Sequence, residues 1–236
     1  MLTALARRYA LSRRLVDAPG ERRSHTVATP RGGGIAVVAV LLPSMIWLGF
    51  AGAGTFPVFL LGACGLTLVA TIGWIDDHRP LSPWGRLAVH VLAAVLLGVG
   101  VAWAGQPVWW AIVVSAFALG LINVWNFMDG IDGLAATQAI LVALGLVLLG
   151  LVGHHALLAC IFAAACAGFL PFNCPKARIF LGDVGSGALG YLVACLFAFA
   201  PTSDPAAVLL WLLPISAFVI DAALTLLSRI IRGERW

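Results

Sequence analysis

The sequence predicts an all-α polytopic membrane protein with about eight transmembrane helices and its polar loops gathered on one face. Of the 236 residues, 62% are hydrophobic and 10% are charged, and the mean hydropathy is +1.04. Continuous apolar runs of about twenty residues, the length that crosses a bilayer as a helix, recur along the chain. Because these runs do not alternate between apolar and polar residues, a transmembrane β-barrel is excluded.

The candidate spans follow a polar, basic first segment. They cover about residues 34–53, 56–75, 86–104, 107–123, 134–152, 155–172, 185–200 and 206–227. This pattern predicts a basic N-terminal segment over 1–33, one transmembrane domain over 34–228, and a C-terminal stub over 229–236. His90 stands alone inside the third span, where we expect it to hydrogen-bond a neighbouring helix.

The basic residues fix the predicted orientation. All 14 Lys and Arg residues fall in one set of connecting segments, which are 1–33, 76–86, 124–134, 173–184 and 228–236. Loops rich in Lys and Arg lie on the cytoplasmic side of membranes. We therefore expect both termini and these loops to be cytoplasmic.

One short polar stretch, from Asn123 to Gly133, separates two predicted spans. It reads N-V-W-N-F-M-D-G-I-D-G and carries four polar side chains at three-residue intervals: Asn123, Asn126, Asp129 and Asp132. If the helix continued through this stretch, all four would project from roughly one side. Ionisable groups at a membrane boundary are costly and mark function by default. The alternative is a helix end whose Asn and Asp side chains cap main-chain groups.

Adjacent acids end the second span on the same predicted face. Asp76 and Asp77 lie in the stretch G-W-I-D-D-H-R-P-L-S-P-W-G-R. Such a pair suits a Mg²⁺ ligand, or a base that deprotonates a nucleophile. A solvated turn is the alternative.

The stretch P-F-N-C-P-K-A-R-I-F-L-G-D-V-G-S, residues 171–186, holds several further candidates. Asp183 lies between two glycines and can reach a cation or phosphate with little steric obstruction. Phe180 can stack on a base, and Asn173 can read a base edge through paired hydrogen bonds. Arg178 can meet a diphosphate.

The first loop is basic and glycine-rich. Arg22, Arg23, His25 and Arg31 form a cluster suited to phosphate, which Arg binds through planar, bidentate donors. An ordinary basic flank that holds membrane topology is the alternative. Together the four polar stretches predict a metal-dependent reaction on a phosphate ester at the cytoplasmic surface, and no nucleic-acid partner. A Walker P-loop and a nucleophile elbow are absent from the sequence.

These motifs resemble one known family. The strings are D-x-P-x-E-R-x-S-H with a following P-x-G-G, then D-D, N-x-x-N-x-x-D-G-x-D-G-L and A-R-I-F-L-G-D-x-G-S, covering residues 17 to about 230. In this order they resemble the polyprenyl-phosphate N-acetylhexosamine-1-phosphate transferases (glycosyltransferase family 4), which include the phospho-N-acetylmuramoyl-pentapeptide translocase. The His-containing first loop is more similar to the branch that initiates O-antigen and teichoic acid.

The resemblance implies a specific reaction. An N-acetylhexosamine 1-phosphate would pass from a UDP-N-acetylhexosamine to undecaprenyl (polyprenyl) phosphate, with Mg²⁺ (or Mn²⁺) as cofactor and UMP as product. It would initiate cell-envelope polysaccharide synthesis, such as that of lipopolysaccharide O-antigen, at the bacterial inner (cytoplasmic) membrane. Membrane lipid is a further implied partner, and a homodimer is left open.

Positions that match the family's motifs receive expected roles. Asp76, Asp77, Asp129 and Asp132 are the expected catalytic residues, and Asp183 with Asp77 would bind the metal. The expected substrate-binding residues are Arg23, His25, Asn123, Asn126, Asn173, Arg178 and Phe180.

We expect this sequence to lack two features of the family, a helix before the first loop and a cytoplasmic His-rich loop near the C-terminus. The alternative function is therefore a truncated or inactive homologue that acts as a membrane binding or scaffold protein. A CDP-alcohol phosphatidyltransferase is disfavoured because Asp129-Gly130 is followed by Ile131-Asp132, with no Arg nearby. A transporter is disfavoured because transporters place polar groups at mid-membrane, whereas the acids here cluster at one face and only Asp221 is clearly inside a span.

Overall fold

A computed structural model describes residues 1–17, 28–52 and 55–233. Within these ranges the chain forms nine helices and one two-stranded ribbon. The helices are α1 (Leu2–Ser12), α2 (Ile35–Ala51), α3 (Phe56–His78), α4 (Pro83–Trp103), α5 (Val108–Met128), α6 (Leu134–Leu148), α7 (Gly153–Asn173), α8 (Asp183–Phe197) and α9 (Pro205–Ile231). The ribbon pairs β1 (Val16–Asp17) with β2 (Thr29–Pro30) in antiparallel register.

Helices α2 to α9 coincide with the eight predicted spans. Among the described residues, five helices are long and apolar enough to cross a membrane, namely α3, α4, α5, α7 and α9. Helices α2, α6 and α8 are apolar but shorter, with 17, 15 and 15 residues. The chain is therefore a multi-pass, mostly helical membrane protein, while the number of eight crossings stays a prediction.

Helix α8 lies at the centre of the bundle, packed between α3 and α5. All of its residues from Val184 to Phe197 are buried, which requires a helix that is apolar on every side. Small residues allow neighbouring backbones to approach it. A β-carbon added at Gly73 of α3 would lie 2.5 Å from the main-chain oxygen of Asp183. Close packing of this kind is typical of helices in membranes, and it brings the end of α3 against the start of α8.

The first loop is fixed to the segment that leads into α8. Phe180 N–H donates to Pro30 O at 2.8 Å, and Gly33 N–H donates back to Phe180 O at 2.9 Å. Gly34 N–H then donates to Leu181 O at 2.9 Å. These exchanges satisfy main-chain groups that a loop would otherwise leave unpaired. They join two parts of the chain that are about 150 residues apart.

Helix α1 lies in the predicted basic N-terminal segment, so a short helix of 11 residues does precede the first loop, where none was expected. Thr3 and Ala10 are its buried residues. The ring of Tyr9 stacks on Trp74 with centroids 5.2 Å apart, and its hydroxyl lies 3.1 Å from His78 Nε2. Neither this helix nor the β1–β2 ribbon was predicted. Each buries only a few residues, and the arginines and polar residues around them leave no clear apolar pattern in the sequence.

Candidate active site

A cavity of about 280 Å³ opens where α3 and α5 end and α8 begins. We call it the acidic cavity, because its wall contains five carboxylates from separate parts of the chain: Asp17, Asp77, Asp129, Asp132 and Asp183. Arg31, Asn126, Asn173, Phe180, Gly182 and Ser186 also line it. The three predicted acidic stretches therefore meet around one space, since each lies at the same end of the bundle.

Asp77 connects α3 to the start of α8. Its Oδ1 accepts a hydrogen bond from Asp183 N–H at 3.1 Å, and its Oδ2 accepts one from Val184 N–H at 3.2 Å. The first N–H groups of a helix lack partners within the helix, so a carboxylate here acts as a cap. Arg31 supports this contact, because its Nη2 donates to Asp77 O at 2.7 Å and its Nε lies 3.7 Å from Asp77 Oδ1.

Asp76 points to a different partner from its neighbour. Its Oδ2 lies 2.7 Å from Arg86 Nη1, and its Oδ1 accepts a hydrogen bond from Leu81 N–H at 2.6 Å. The same Arg86 nitrogen lies 3.6 Å from Asp183 Oδ2. Arg86, in the first turn of α4, therefore bridges two of the predicted functional carboxylates. Arg86 was not among the predicted site residues. A sequence signal for it does exist, because it is a basic residue at the start of a predicted span, ten positions after Asp76.

Asp183 is also held from α5. Asn126 Nδ2 donates to Asp183 Oδ1 at 2.6 Å and to Ser186 Oγ at 3.0 Å. Gly182 precedes Asp183 with φ of +72°, in the left-handed region that favours glycine. A β-carbon at Gly182 would also lie 2.6 Å from Asp77 Oδ2. The G-D-x-G-S stretch therefore forms a turn that brings a carboxylate to the mouth of the cavity.

The stretch from Asn123 to Gly133 is not one continuous helix. Helix α5 ends at Met128, so Asp129 and Asp132 lie in the turn that follows. Asp132 Oδ2 accepts a hydrogen bond from Ala177 N–H at 3.0 Å. Asn123 remains on the helix, where its Nδ2 donates to Leu119 O at 2.7 Å. The four side chains therefore do not share one helical face. Three of them, Asn126, Asp129 and Asp132, line the acidic cavity.

Asp129, in the turn after α5, lies in an environment that disfavours a negative charge. Burial raises the pKa of its carboxyl group well above the usual range, and the negative charges of Asp183 and Asp77 raise it further. A cation in the cavity would oppose both effects, because it stabilises the ionised form. The cavity therefore has an electrostatic preference for a positively charged occupant.

The predicted nucleotide-binding residues occupy distinct positions. Phe180 lines the acidic cavity. Asn173 also lines it, but its Oδ1 accepts from Gly133 N–H at 3.1 Å and its Nδ2 donates to Ile179 O at 3.1 Å. Arg178 lies outside the acidic cavity, with its guanidinium 4.7 Å from the centre of the Phe172 ring. Arg23 and His25, the remaining predicted binding residues, lie outside the described residues.

A second cavity of about 310 Å³ adjoins the acidic cavity, and we call it the groove. Asn126 and Asp183 line both spaces. The other lining residues of the groove come from α3, α4, α5 and α8, and they are Ile72, Gly73, Pro83, Trp84, Arg86, Leu87, His90, Ile122, Asn123 and Gly187. His90 faces this space, and no described residue forms the expected interhelical hydrogen bond with it. That expectation was wrong because an opening, not a packed helix, faces His90.

The predicted metal ligands are Asp77 and Asp183. In the ranges that the structure covers, no three His, Cys, Asp or Glu side chains are close enough together to hold a metal ion. Mg²⁺ does not require such a cage, because it is usually bound through one or two carboxylates, water and substrate phosphate. Asp183 exposes its carboxylate to both cavities, whereas both oxygens of Asp77 already accept hydrogen bonds from α8. The donor set thus fits Mg²⁺ best at Asp183.

Comparison with known proteins gives a family match over the core of the bundle. The model of glycosyl transferase family 4 matches residues 59–200. This range runs from the first turn of α3 to the end of α8 and contains every described acid of the cavity except Asp17.

Three relatives illustrate the similarity. A decaprenyl-phosphate N-acetylglucosaminephosphotransferase of Mycolicibacterium smegmatis is 32% identical, over 92% of this chain and 63% of its own length. A phospho-N-acetylmuramoyl-pentapeptide-transferase of Deinococcus radiodurans is 33% identical, over 83% and 67%. A probable undecaprenyl-phosphate N-acetylglucosaminyl 1-phosphate transferase of Bacillus subtilis is 26% identical, over 83% and 58%. The chain spans about half to two thirds of the length of such relatives.

Proposed function

The chain belongs to glycosyl transferase family 4, and from this membership we propose that it transfers N-acetylhexosamine 1-phosphate from a UDP-sugar to a polyprenyl phosphate. An oxygen of the lipid phosphate would attack the sugar-side phosphorus of the donor. The new P–O–P bond forms as the bond to UMP breaks, and UMP leaves. The observation that carries the proposal is the meeting of the acidic cavity and the groove at Asn126 and Asp183.

The arrangement suits phosphoryl transfer because this reaction requires positioning and neutralisation of charge more than covalent help from side chains. Arg31 borders the acidic cavity and Arg86 borders the groove, so one guanidinium is available on each side of Asp183. Arginine at such positions can hold phosphate oxygens through paired hydrogen bonds. The donor diphosphate and the acceptor phosphate would thus approach each other from two sides.

Asp183 would hold Mg²⁺ together with donor phosphate, and Asp77 would support it by orienting the start of α8. Bound Mg²⁺ would supply positive charge to the phosphate oxygens. Asp129 and Asp132 fit a role in the same cavity, since they add negative charge where a divalent cation would bind. Asn126 fixes Asp183 through the 2.6 Å hydrogen bond, which keeps the ligand in place.

The donor would lie in the acidic cavity, with its base near Phe180. Aromatic rings bind bases by stacking on their faces. One N–H of the Asn173 side-chain amide already donates to Ile179 O, so Asn173 would contact the base through its second amide N–H. Arg178 is less well placed, because its Nη2 donates to Pro171 O at 2.7 Å and its ring contact is with Phe172. Arg23 and His25 remain predicted phosphate-binding residues.

The acceptor and the location follow from the same chemistry. A polyprenyl phosphate stays in the membrane, so its phosphate must meet the water-soluble donor at the boundary between bilayer and cytoplasm. We place this boundary at the basic end of the bundle, with both termini cytoplasmic. In this proposal the product initiates a cell-envelope polysaccharide at a bacterial cytoplasmic membrane.

The test is UMP release by the purified chain from UDP-N-acetylhexosamines, with undecaprenyl phosphate, with Mg²⁺ or Mn²⁺, and with EDTA. Asp183→Asn is the decisive variant, and Asp204→Asn is its matched control. Asp204 caps α9 away from both cavities, through a hydrogen bond from Ala206 N–H that asparagine can also accept. We expect release that needs lipid and metal, is lost in Asp183→Asn and persists in Asp204→Asn. No release from any donor would favour the scaffold alternative.

A further inference from the structure

The groove presents two nitrogen-bearing side chains one helical turn apart. Arg86 and His90 are four residues apart on α4 and both line it. Residues at this spacing lie on one face of a helix, about 6 Å apart along its axis. Helical side chains also lean toward the helix N-terminus, so the His90 imidazole is directed toward the level of Arg86. The pair therefore forms a polar patch on the groove wall.

His90 has no partner to explain its position. No residue within 1–17, 28–52 or 55–233 forms a hydrogen bond, ion pair or ring contact with its imidazole, which is half-buried on an apolar helix. Ionisable residues at this depth usually face a functional space and pair with something in it. The opening in front of His90 is therefore a place for a hydrogen-bond acceptor.

Apart from Asn123 and Asn126 on α5, the rest of the groove is apolar, and it reaches the outside of the bundle. Ile72, Leu87 and Ile122 line its wall, and Trp84 at its edge is 79% exposed. Only the end next to the acidic cavity carries charge, from Arg86 and Asp183. This distribution is complementary to a molecule with an anionic head and a branched hydrocarbon tail.

We propose that His90 binds the head group of an isoprenyl phosphate in the groove. It donates a hydrogen bond to a phosphate oxygen, while Arg86 supplies the positive charge and the first isoprene units lie against Ile72 and Leu87. This assignment rests on the proposed function and adds the residue that distinguishes a phosphorylated isoprenoid from the free alcohol. A loss of one such hydrogen bond weakens binding by about tenfold.

The experiment measures lipid binding by native mass spectrometry of the full chain in neutral phosphatidylcholine nanodiscs. The probes are undecaprenyl phosphate, undecaprenol and phosphatidic acid. The variants are His90→Leu, which removes the hydrogen bond, and His90→Gln, which keeps a donor. His154→Gln is the control, because His154 lies at the other end of the bundle, in the first turn of α7.

We expect the unaltered chain to bind undecaprenyl phosphate at least tenfold more tightly than undecaprenol or phosphatidic acid. His90→Leu should remove about tenfold of this preference without changing undecaprenol binding, whereas His90→Gln and His154→Gln should stay within about threefold. The undecaprenol arm reports a misfolded groove. If His90→Leu loses both lipids, His90→Met, which also lacks a hydrogen-bond donor, takes its place in the comparison.

Two patterns of undecaprenyl phosphate binding would overturn the assignment. One is equal binding of the phosphate and the alcohol by the unaltered chain, and the other is a preference that His90→Leu leaves unchanged. Preferential phosphatidic acid binding would also overturn it, because the groove would then take a phospholipid. Failure of the transferase proposal gives a different pattern, in which His90-dependent lipid binding is present but no donor yields UMP.

Discussion

Asp77 accepts a hydrogen bond from the main-chain N–H of Asp183, at 3.1 Å, across 106 residues of sequence. One predicted functional carboxylate thereby positions the helix that begins with another. Asp77 is 2% exposed, so this contact is shielded from water and competes little with solvent. The acids therefore have two kinds of role. Some hold the helices of the site in place, and others turn their carboxylate oxygens towards the acidic cavity.

Asp77→Ala should lower both stability and activity. Loss of a side-chain cap destabilises a protein by about 0.5–2 kcal/mol, and α8 is the central helix. Asp77→Asn keeps one oxygen acceptor but loses the charge and turns an NH2 group towards the second main-chain N–H, so it should recover only part of the thermal stability and no UMP release. Thermal unfolding and UMP release are measured on both variants. Equal unfolding temperatures for Asp77→Ala and the unaltered chain would contradict the capping role.

Arg86→Gln should reduce UMP release by about a hundredfold or more, because it removes the cation beside Asp76 and Asp183. It also leaves the buried Asp76 carboxylate without its ion pair, which should lower the unfolding temperature. Arg86→Lys keeps the charge but not the planar geometry, and an intermediate rate is expected.

The control for Arg86 is Arg79→Gln, since Arg79 is an exposed basic residue near the same acids. Its rate should stay within about threefold of the unaltered chain, as expected for a surface substitution. If Arg79→Gln and Arg86→Gln had the same effect, the general positive charge of this face would be responsible. The short contact between Arg86 and Asp76 would then have no special part.

The helices and the acidic stretches were accessible to prediction because their signals are strong. Apolar length identifies α2 to α9, and polar residues such as Asp183 stand out against that background. The contact between Phe180 and Pro30 was not accessible, since no local pattern reports which two loops exchange main-chain hydrogen bonds. The contacts of Arg86 depend on the angle at which α3 meets α4, and this angle is a property of packing.

The turn after α5 shows a different limit. A three-residue polar interval suggested one continuous helical face, but glycines at 130 and 133 allow the helix to stop at Met128. Gly133 has φ of +76°, a conformation that an ordinary helical residue does not adopt. Two readings of the same stretch were therefore open, and the tertiary contact between Asp132 and Ala177 N–H favours the turn.

Gly34→Ala should destabilise the protein through sterics alone. Gly34 has φ of −61°, which alanine adopts freely, but a β-carbon there would overlap the Cα of Gly185 on α8. Overpacking of this kind costs about 1–3 kcal/mol. The matched control is Gly120→Ala within α5, where a β-carbon would meet nothing within 4 Å. The control should be neutral or slightly stabilising, because alanine favours helix more than glycine. A lower unfolding temperature for the control would contradict this account.

Asp129→Asn should raise the unfolding temperature while reducing UMP release. Burial and nearby carboxylates raise the pKa of Asp129 in the folded state, so its carboxyl group increasingly destabilises the fold as the pH rises from the unfolded pKa towards that raised pKa. Asparagine has no such charge, and a gain of about 1 kcal/mol corresponds to about 2–4 °C. The advantage should shrink as the pH falls, since Asp129 then becomes protonated and neutral. Thermal unfolding without divalent cations across about pH 5–9 measures this trend, and a gap independent of pH would refute the assignment.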